Sequence, residues 1–378
     1  MAIGYLAATL PTGVRSRMIE NGNGLIMHVL EAGFETPERP CILLLHGFPE
    51  LAYSWRKVML PLAAAGFHVL APDQRGYGRT TGWDSQHDGD LASFHILNLA
   101  KDPVGLMAAL KVRSVTAIVG HDFGSPVAAW CALLYPNVFR SAVLMSAPFS
   151  GPPRPSLPGA PSPAGLGDSL AALKPPRKHY QGYFSTRAAD MDMRACPQGI
   201  HAFLRAYYHY KSADWKGNDP FPLKSWAADE LAKMPKYYIM DLDKGMAETV
   251  AEQAPTAAEI AACAWLPDEE LRVYSEEFTL TTFQGGLNWY RSMTDPQGVA
   301  QLQAYCGRRI EVPCTFMAGS SDWGSYQSPG ALEAMAAACD QFRGVHLVQG
   351  AGHWVQQEQP AALSRLLIEF LRRENLVP

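Results

Sequence analysis

The chain has 378 residues, 48% of them hydrophobic, which suffices for one large α/β domain with an insertion or for two domains. A formal net charge of −4 with no basic stripe argues against a nucleic acid or a membrane surface as partner. No apolar run is long enough to span a bilayer, and the first residues lack the basic start and apolar core of a signal peptide.

The first third of the chain predicts strands that alternate with helices. Buried or half-buried strands are predicted at residues 15–20, 25–30, 41–45 and 67–71. The first two flank Asn-Gly-Asn-Gly, which indicates an antiparallel hairpin at the edge of a sheet. Helices are predicted at residues 55–65 and 102–110, the second with Asp102 as its N-cap and a proline behind it.

Residues 115–124, with the sequence VTAIVGHDFG, are the most informative stretch. Residues 115–119 predict a strand buried on both faces, and residues 127–130 look helical. A strand, a tight glycine-flanked turn and a helix resemble the nucleophile elbow of α/β-hydrolases, which usually carries serine in G-x-S-x-G. Here the central residue is Asp122, and no G-x-S-x-G occurs elsewhere in the chain.

The alternation of strands and helices stops after a strand predicted at residues 141–145. Residues 147–176 are dominated by Pro, Gly, Ser and Ala, and we interpret them as a long irregular connection. Helices are predicted beyond it at residues 200–211, 246–253, 257–265, 268–281 and 287–293. Because no strand alternation occurs there, we interpret residues 148–297 as an inserted helical cap, called the cap segment below.

The alternation resumes near the end of the chain. Strands are predicted at residues 312–318 and 345–348, and helices at residues 330–339 and 360–373. We therefore assign residues 1–147 and 298–378 to one core domain with a mostly parallel, doubly wound sheet, the architecture of an α/β-hydrolase fold.

Three polar residues follow predicted strands in the chain order nucleophile, acid, histidine: Asp122, Asp322 and His353. Open α/β sheets place their sites at the carboxyl ends of strands. A carboxylate nucleophile acts by displacement at an sp³ carbon, and the alkyl ester that forms is hydrolysed by water that His353 activates while Asp322 holds its other ring nitrogen. Two reactions fit, the opening of an epoxide and the expulsion of halide from a haloalkane.

The leaving group separates these two reactions. An opening epoxide develops alkoxide charge and needs a proton donor, a task that suits phenols. Spacing alone does not choose among the tyrosines of the cap segment, which include Tyr180, Tyr183, Tyr207, Tyr208, Tyr210, Tyr237, Tyr238, Tyr274 and Tyr290.

At these residues the chain resembles the soluble epoxide hydrolases of the α/β-hydrolase superfamily, over nearly its whole length. The matching blocks are His46-Gly47-Phe48-Pro49-Glu50, Asp73-Gln74-Arg75-Gly76-Tyr77-Gly78, the Asp122 elbow and Gly352-His353. The sequence YQGYF is similar to the segment with the family's first ring-opening tyrosine, which implies Tyr180, with Tyr183 as the fallback. The sequence LNWYR is similar to the segment with the second, which implies Tyr290.

The resemblance also implies an oxyanion hole made of the backbone N–H groups of Phe48 and Phe123. The bond between Phe48 and the following proline is a candidate for the cis form. We further expect Trp354 and Tyr183 to contact the substrate.

Two features depart from the family pattern. The family commonly has Trp after the nucleophile, where this chain has Phe123. Haloalkane dehalogenases use a Trp there to bind halide, and fluoroacetate dehalogenases look like they have Arg, so Phe123 disfavours both dehalogenase readings. The proline-rich residues 148–176 have no role in the resemblance, and a border of the tunnel mouth and a dimer contact both stay open for them.

We therefore predict an epoxide hydrolase that converts a small apolar epoxide and water to a vicinal diol, without a metal or an organic cofactor. The alternatives are a haloalkane dehalogenase with the same Asp–His–Asp set and a non-catalytic small-molecule receptor on the same scaffold. No nucleic acid or membrane partner is expected, and a homodimer stays open. Seven scattered cysteines without a C-x-x-C pair favour buried thiols and a cytoplasmic location.

Overall fold

The computed structural model describes residues 9–154 and 165–377. Its strands are β1 (Val14–Glu20), β2 (Ile26–Ala32), β3 (Cys41–Leu45), β4 (His68–Pro72), β5 (Val115–His121), β6 (Ala142–Met145), β7 (Arg177–His179), β8 (Ile239–Asp241), β9 (Ile310–Gly319) and β10 (Cys339–Val348).

The helices before β9 are α1 (Arg56–Ala64), α2 (Ile96–Leu99), α3 (Lys101–Ala109), α4 (Gly124–Leu134), α5 (Leu166–Ala171), α6 (Tyr180–Phe184), α7 (Ala188–Arg194), α8 (Gly199–Lys211), α9 (Ala228–Leu231), α10 (Met246–Ala251), α11 (Ala257–Ala262), α12 (Asp268–Thr281), α13 (Gln284–Met293) and α14 (Pro296–Gln303). The helices after it are α15 (Ala331–Ala338), α16 (Val355–Glu358) and α17 (Pro360–Arg373). Short 3-10 turns lie at Ala52–Trp55, Ala92–Phe94 and Trp323–Ser325.

One eight-stranded sheet, with the order β1-β2-β4-β3-β5-β6-β9-β10, organises the chain. The β1–β2 and β2–β4 pairs are antiparallel, and all the others are parallel. The predicted hairpin is therefore confirmed at one edge, and the fold class is confirmed as α/β with a mostly parallel sheet.

The centre of the sheet is buried on both faces. Every residue of β3 is at most 2% exposed, and β5 is buried along its full length. Helix α1 packs against α17, and α4 packs against α2 and α3, so helices line the sheet. Burial of each large aliphatic side chain there stabilises the fold by about 1.5–3 kcal/mol, which explains why these strands read as continuous apolar runs.

Parallel pairing brings the carboxyl ends of β3, β5, β9 and β10 to the same edge of the sheet. The turns that follow these strands contain Phe48, Asp122, Asp322 and His353. Residues separated by more than 300 positions in sequence are thereby brought to one place, which is where open α/β sheets form their sites.

The prediction that Asp102 caps a helix is wrong. Helix α3 begins at Lys101, and its N-cap is Ala100, two residues before the predicted one. The Asp102 carboxylate accepts hydrogen bonds from Arg75 at 2.8 and 2.9 Å and from Asn23 at 2.7 Å. A buried tertiary ion pair has therefore replaced the local capping bond that the sequence pattern indicated.

The cap segment is mainly helical in its described part, but it also contains the small antiparallel sheet β7–β8. Strands of three residues are too short to show a period in the sequence, so they were not predicted. The predicted irregular connection contains helix α5, and its residues 155–164 lie outside the described residues. Helix α14 crosses the predicted domain boundary at residue 297.

Two further expectations concern thiols and membranes. Five of the seven cysteines are buried, but Cys263 is half-buried and Cys306 is exposed, so the expectation of buried thiols holds only in part. Among the described residues, no helix combines the length and the apolar character that crossing a bilayer requires.

Candidate active site

The turn between β5 and α4 holds Asp122 in a strained conformation. Its φ is +50°, a left-handed backbone that non-glycine residues rarely adopt. The turn is also tight, because a Cβ on Gly120 would lie 2.0 Å from the carbonyl oxygen of Gly124. Only glycine fits there, so the flanking residue allows the sharp reversal that projects Asp122 from the edge of the sheet.

Both oxygens of the Asp122 carboxylate have neighbours. Oδ1 accepts a hydrogen bond from the backbone N–H of Phe48 at 2.9 Å, and Oδ2 lies 3.5 Å from Nε2 of His353. A Cβ on Gly47 would lie 2.4 Å from Oδ1, so the absent side chain lets the Phe48 backbone approach. The Phe48–Pro49 bond is cis, as the sequence indicated.

His353 is held on its other side by Asp322 and Ser146. Its Nδ1 lies 3.0 Å from Asp322 Oδ1 and 3.0 Å from Ser146 Oγ. Within the described residues, Nε2 makes no hydrogen bond and faces Asp122. The ring is therefore oriented through Nδ1, and Nε2 is left to act as a base.

The charge of Asp322 suits this orienting task. Burial raises the pKa of Asp322, but His353, Ser146 and the Gly324 N–H lower it by more, so the pKa lies below its usual range. The ionised carboxylate can therefore stabilise an imidazolium at His353.

Asp122 is also held as a carboxylate. Burial raises its pKa, but the contact with His353 and the positive charges of Lys211 and His121 outweigh burial. The net pKa lies well below the ordinary value, so Asp122 is ionised at neutral pH, the form in which it is a nucleophile.

A second buried pair, formed by Glu50 and His121, supports Asp122 and His353. His121 Nδ1 lies 2.6 Å from Glu50 Oε2, and its Nε2 lies 2.7 Å from the carbonyl oxygen of His353. Burial lowers the pKa of His121, but Glu50 raises it by more, to about 8. A protonated His121 therefore donates to both neighbours and links the β3 turn to the His353 loop.

The His353 loop is also bonded to the end of helix α8. The backbone N–H of His353 donates to the carbonyl oxygen of Lys211 at 3.0 Å. The buried carboxylate of Glu358 accepts hydrogen bonds, at 2.8–2.9 Å, from the backbone N–H groups of Ala213, Gly352 and Trp354. The segment around His353 is thus fixed both by residues 211 and 213 of the cap segment and by residues near the end of the chain.

Two of the predicted tyrosines lie together over the nucleophile turn. The ring of Tyr290 packs edge-on against Phe123 at 4.5 Å and Phe48 at 5.5 Å between centroids. The ring of Tyr180 lies 5.8 Å from that of Tyr290, and its hydroxyl donates to Gln327 Oε1 at 2.9 Å. The structure therefore brings Tyr180 and Tyr290 together beside Asp122.

Both phenols are held in the protonated form. Burial is the main cause that raises the pKa of Tyr180 and Tyr290 above the ordinary value, and the Asp122 carboxylate raises both further. A phenol that keeps its proton near a carboxylate is suited to donate it to a developing alkoxide.

Two expected substrate contacts point elsewhere. The hydroxyl of Tyr183 donates to Asp192 Oδ2 at 3.0 Å, and it is the ring of Tyr180 that lies 5.8 Å from that of Tyr290. Trp354 is fully buried, its indole N–H donates to the Tyr208 carbonyl at 2.8 Å, and its ring lies 4.5 Å from that of His353. This ring supports the histidine from behind.

The acids and histidines of the site are engaged with each other. Asp322 pairs with His353, and Glu50 with His121. Across residues 9–154 and 165–377, no group of three or more His, Cys, Asp or Glu side chains is arranged to hold a metal ion.

Comparison with known proteins places this geometry in a family. A family profile described as the alpha/beta hydrolase fold matches residues 40–360. Epoxide hydrolase A of Mycobacterium tuberculosis is 33% identical over 363 residues, covering 95% of this chain and 98% of the relative. The chain belongs to the epoxide hydrolases of the α/β-hydrolase superfamily.

Further relatives that match this chain are also epoxide hydrolases. Epoxide hydrolase B of the same organism is 30% identical over 362 residues, covering 93% of this chain and 97% of the relative. The solved structure of an epoxide hydrolase from an endophytic Streptomyces superposes with a TM-score of 0.76 at 29% identity, covering 96% of each chain. The epoxide hydrolase family is thus matched over almost the whole chain.

Phe123 distinguishes this epoxide hydrolase site from a halide site. Its ring lies 5.6 Å from that of Trp289 and offers no N–H donor. The indole N–H of Trp289 donates to the carbonyl of Arg75 at 2.9 Å and is already engaged. Neither of these two rings therefore offers a free N–H donor to a departing halide.

Sequence reasoning missed the roles of Ser146, Gln327 and Lys211. Ser146 and Gln327 lie in turns with no distinguishing pattern. Lys211 had a usable signal, since its spacing of seven residues from Leu204 and four from Tyr207 places it on the apolar face of an aromatic-rich helix, where the structure leaves it only 3% exposed. A lysine at a buried helical position is rare unless its charge has a task.

Proposed function

We propose that the protein hydrolyses epoxides through a covalent ester on Asp122 and releases vicinal diols. The supporting observation is an elbow carboxylate that has the Phe48 N–H on one oxygen and the His353–Asp322 pair beside the other. A carboxylate so placed is suited to attack an sp³ carbon and to be regenerated by water.

In the first step, the Asp122 carboxylate forms a bond to one ring carbon of the epoxide. The bond between that carbon and the ring oxygen breaks, and its electron pair stays on the oxygen. Tyr290 donates a hydrogen bond to this oxygen, as does Tyr180 once its hydroxyl turns away from Gln327, and one of the two gives up its proton. The product is an alkyl ester on Asp122 with a neighbouring hydroxyl.

In the second step, His353 Nε2 takes a proton from water, and the resulting hydroxide attacks the carboxyl carbon of Asp122. The Phe48 N–H already lies 2.9 Å from Oδ1 and would stabilise the oxyanion there, together with the Phe123 N–H. Ionised Asp322 stabilises the imidazolium. The bond between the carboxyl carbon of Asp122 and the diol oxygen then breaks, and that oxygen takes the proton of the newly added hydroxyl group, so the diol leaves. The imidazolium returns its proton to the phenolate, and Asp122 is again a carboxylate that retains one oxygen from water.

We also propose that residues 148–297 form a cap domain over a core made of residues 1–147 and 298–378. In support, Tyr180 and Tyr290 lie between the two, and the rings of Phe48 and Phe184 pack beside them at 5.1 Å. This aromatic surrounding favours small apolar epoxides. A cytoplasmic location is the accompanying proposal, supported by seven cysteines that are all free.

A single turnover in oxygen-18 water tests the covalent step. With excess enzyme and styrene oxide, the first diol should contain oxygen-16 only, because its new oxygen comes from Asp122. With excess substrate instead, later turnovers should release diol that carries oxygen-18, and D122A should form no diol above background. The proposal is wrong if the first diol already carries solvent oxygen.

A further inference from the structure

Lys211 ends helix α8 with its ammonium in an aromatic enclosure. Its side chain is buried, and Nζ lies over four ring centroids, at 4.9 Å for Tyr238, 5.5 Å for Tyr207, 5.6 Å for Trp354 and 5.7 Å for Tyr237. Within the described residues, the ammonium forms no ion pair and no hydrogen bond. Ring faces stabilise a desolvated cation, so a charged lysine is retained there without a carboxylate contact.

The charges around Lys211 belong to the active site. Burial lowers the pKa of Lys211, and the carboxylates of Asp122, Asp322 and Glu50 oppose that decrease. In return, the positive charge of Lys211 lowers the pKa of Asp122. The ammonium is therefore electrostatically coupled to the nucleophile and to the acid without touching either.

The site as a whole has an excess of negative charge that Lys211 reduces. Its carboxylates are Glu50, Asp122 and Asp322, and its cations are protonated His121 and Lys211. In the ester intermediate Asp122 carries no charge, so without Lys211 one of the carboxylates of Glu50 and Asp322 would lie in the buried site with no balancing cation. Unbalanced buried negative charge attracts protons to the nearest base.

The nearest base is His353, and it lies beside the end of α8. Its backbone N–H donates to the Lys211 carbonyl, and the ring of Trp354 lies against both the imidazole and the ammonium. Protonation of His353 before water has reacted would remove the base. A cation held nearby opposes that premature protonation, since like charges repel.

We propose that Lys211 is a positioning residue for the second half-reaction, whose caged ammonium, together with protonated His121, opposes a further cation at His353 and so keeps the imidazole available to activate water. This inference rests on the proposed covalent function. It assigns Lys211 no contact with the substrate, and it predicts an effect on ester hydrolysis and not on ester formation.

Separate measurement of ester formation and of ester loss tests this inference. Rapid-quench mixing followed by mass spectrometry of the intact chain gives the rates of ester formation and of ester loss between pH 5 and 9, with styrene oxide as substrate. The acid limb is the part of the pH profile in which the rate of ester loss falls as the pH decreases. In K211M, this acid limb should move to higher pH by about one unit. Ester formation should stay within about threefold of the wild-type rate.

Matched variants isolate the charge. K211R keeps a cation, so the acid limb of its rate of ester loss should coincide with that of the wild type. K211Q removes the cation, so its acid limb should shift as it does in K211M. K216M removes an exposed lysine five residues further on and should change neither rate. Circular dichroism establishes which variants are folded.

Each outcome decides the matter. If the limb of K211M or K211Q coincides with the wild type, or if both half-reactions slow equally without a shift, Lys211 is only a packing residue and the inference is wrong. It is equally wrong if both uncharged variants unfold while K211R folds. If the wild type never forms an ester, the proposed function fails instead, and that result is distinct.

Discussion

At the scale of single residues, the task of Asp122 is divided among its neighbours. The Phe48 N–H binds Oδ1, the left-handed backbone fixes the direction of the side chain, and His353 faces Oδ2. Because the phenols of Tyr180 and Tyr290 act in the first step and His353 acts in the second, single substitutions should stop the reaction at different points.

Loss of the base should trap the intermediate. In H353Q, Asp122 remains ionised and can attack, but no group takes the proton from water. Ester hydrolysis should slow by about 10²- to 10⁴-fold, and the intact chain should gain the mass of one epoxide. D122A/H353Q is the control and should gain no mass; an adduct in that double variant would place the nucleophile elsewhere.

Removal of a phenol should affect the other half-reaction. Y290F and Y180F should each slow ester formation by roughly 10- to 100-fold, since one proton donor to the ring oxygen is lost. Ester loss should be nearly unchanged. Y183F is the matched control, because its hydroxyl donates to Asp192. A larger loss in Y183F than in Y180F would reverse the assignment of the first tyrosine.

At the scale of elements, the junction of β5 and α4 depends on glycine. In G120A the added Cβ would meet the Gly124 carbonyl at 2.0 Å, and the elbow would have to shift. We expect a loss of about 1–3 kcal/mol in the free energy of unfolding, measured by urea denaturation. G167A, in helix α5, meets no atom within 4 Å and should be neutral or slightly stabilising. Equal midpoints for the two variants would refute this account of the turn.

An element can be predicted from the sequence when the interactions that determine it lie within it or next to it in the chain. The bounds of α12 and α17 were predicted correctly, because Pro267 precedes a run of acidic residues and Pro360 opens α17, both local signals. The strands β7 and β8 were missed, since they are held by pairing with each other. The bonds of Asp102 were missed for the same reason, because its partners come from other elements.

The residues of the site also divide into those that a local sequence pattern predicts and those that it does not. Asp122, Asp322 and His353 follow strands within short motifs, so order along the chain was enough to find them. The surroundings of Lys211 come from α8, the turn before β8 and the residue after His353, and no local pattern joins them. Trp354 was expected at the substrate, whereas packing places its ring against that of His353 with its indole N–H on the Tyr208 carbonyl.

At the scale of the whole molecule, stability should depend on pH through His121. Burial lowers its pKa, and Glu50 raises it by more, to about 8. A histidine whose pKa is raised in the folded state stabilises the fold below about pH 6.5, and this contribution is lost as the pH rises through 8. The decrease should be about 2 kcal/mol.

Urea unfolding at pH 6 and pH 9 measures this decrease. The wild type should be less stable at pH 9, and H121N should show a smaller difference between the two conditions. An unchanged difference in H121N would assign the pH dependence to other groups.

The joint support of the His353 loop by Lys211 and Glu358 has a consequence for recombining such proteins. The base is held partly by backbone atoms at residues 211 and 213, which lie in the cap segment. A chimaera that takes the cap segment from a relative therefore replaces part of the backbone hydrogen bonds that hold its own His353. Donors for such exchanges are best chosen by the last turn of α8 and the residues after it, and overall identity is the poorer guide.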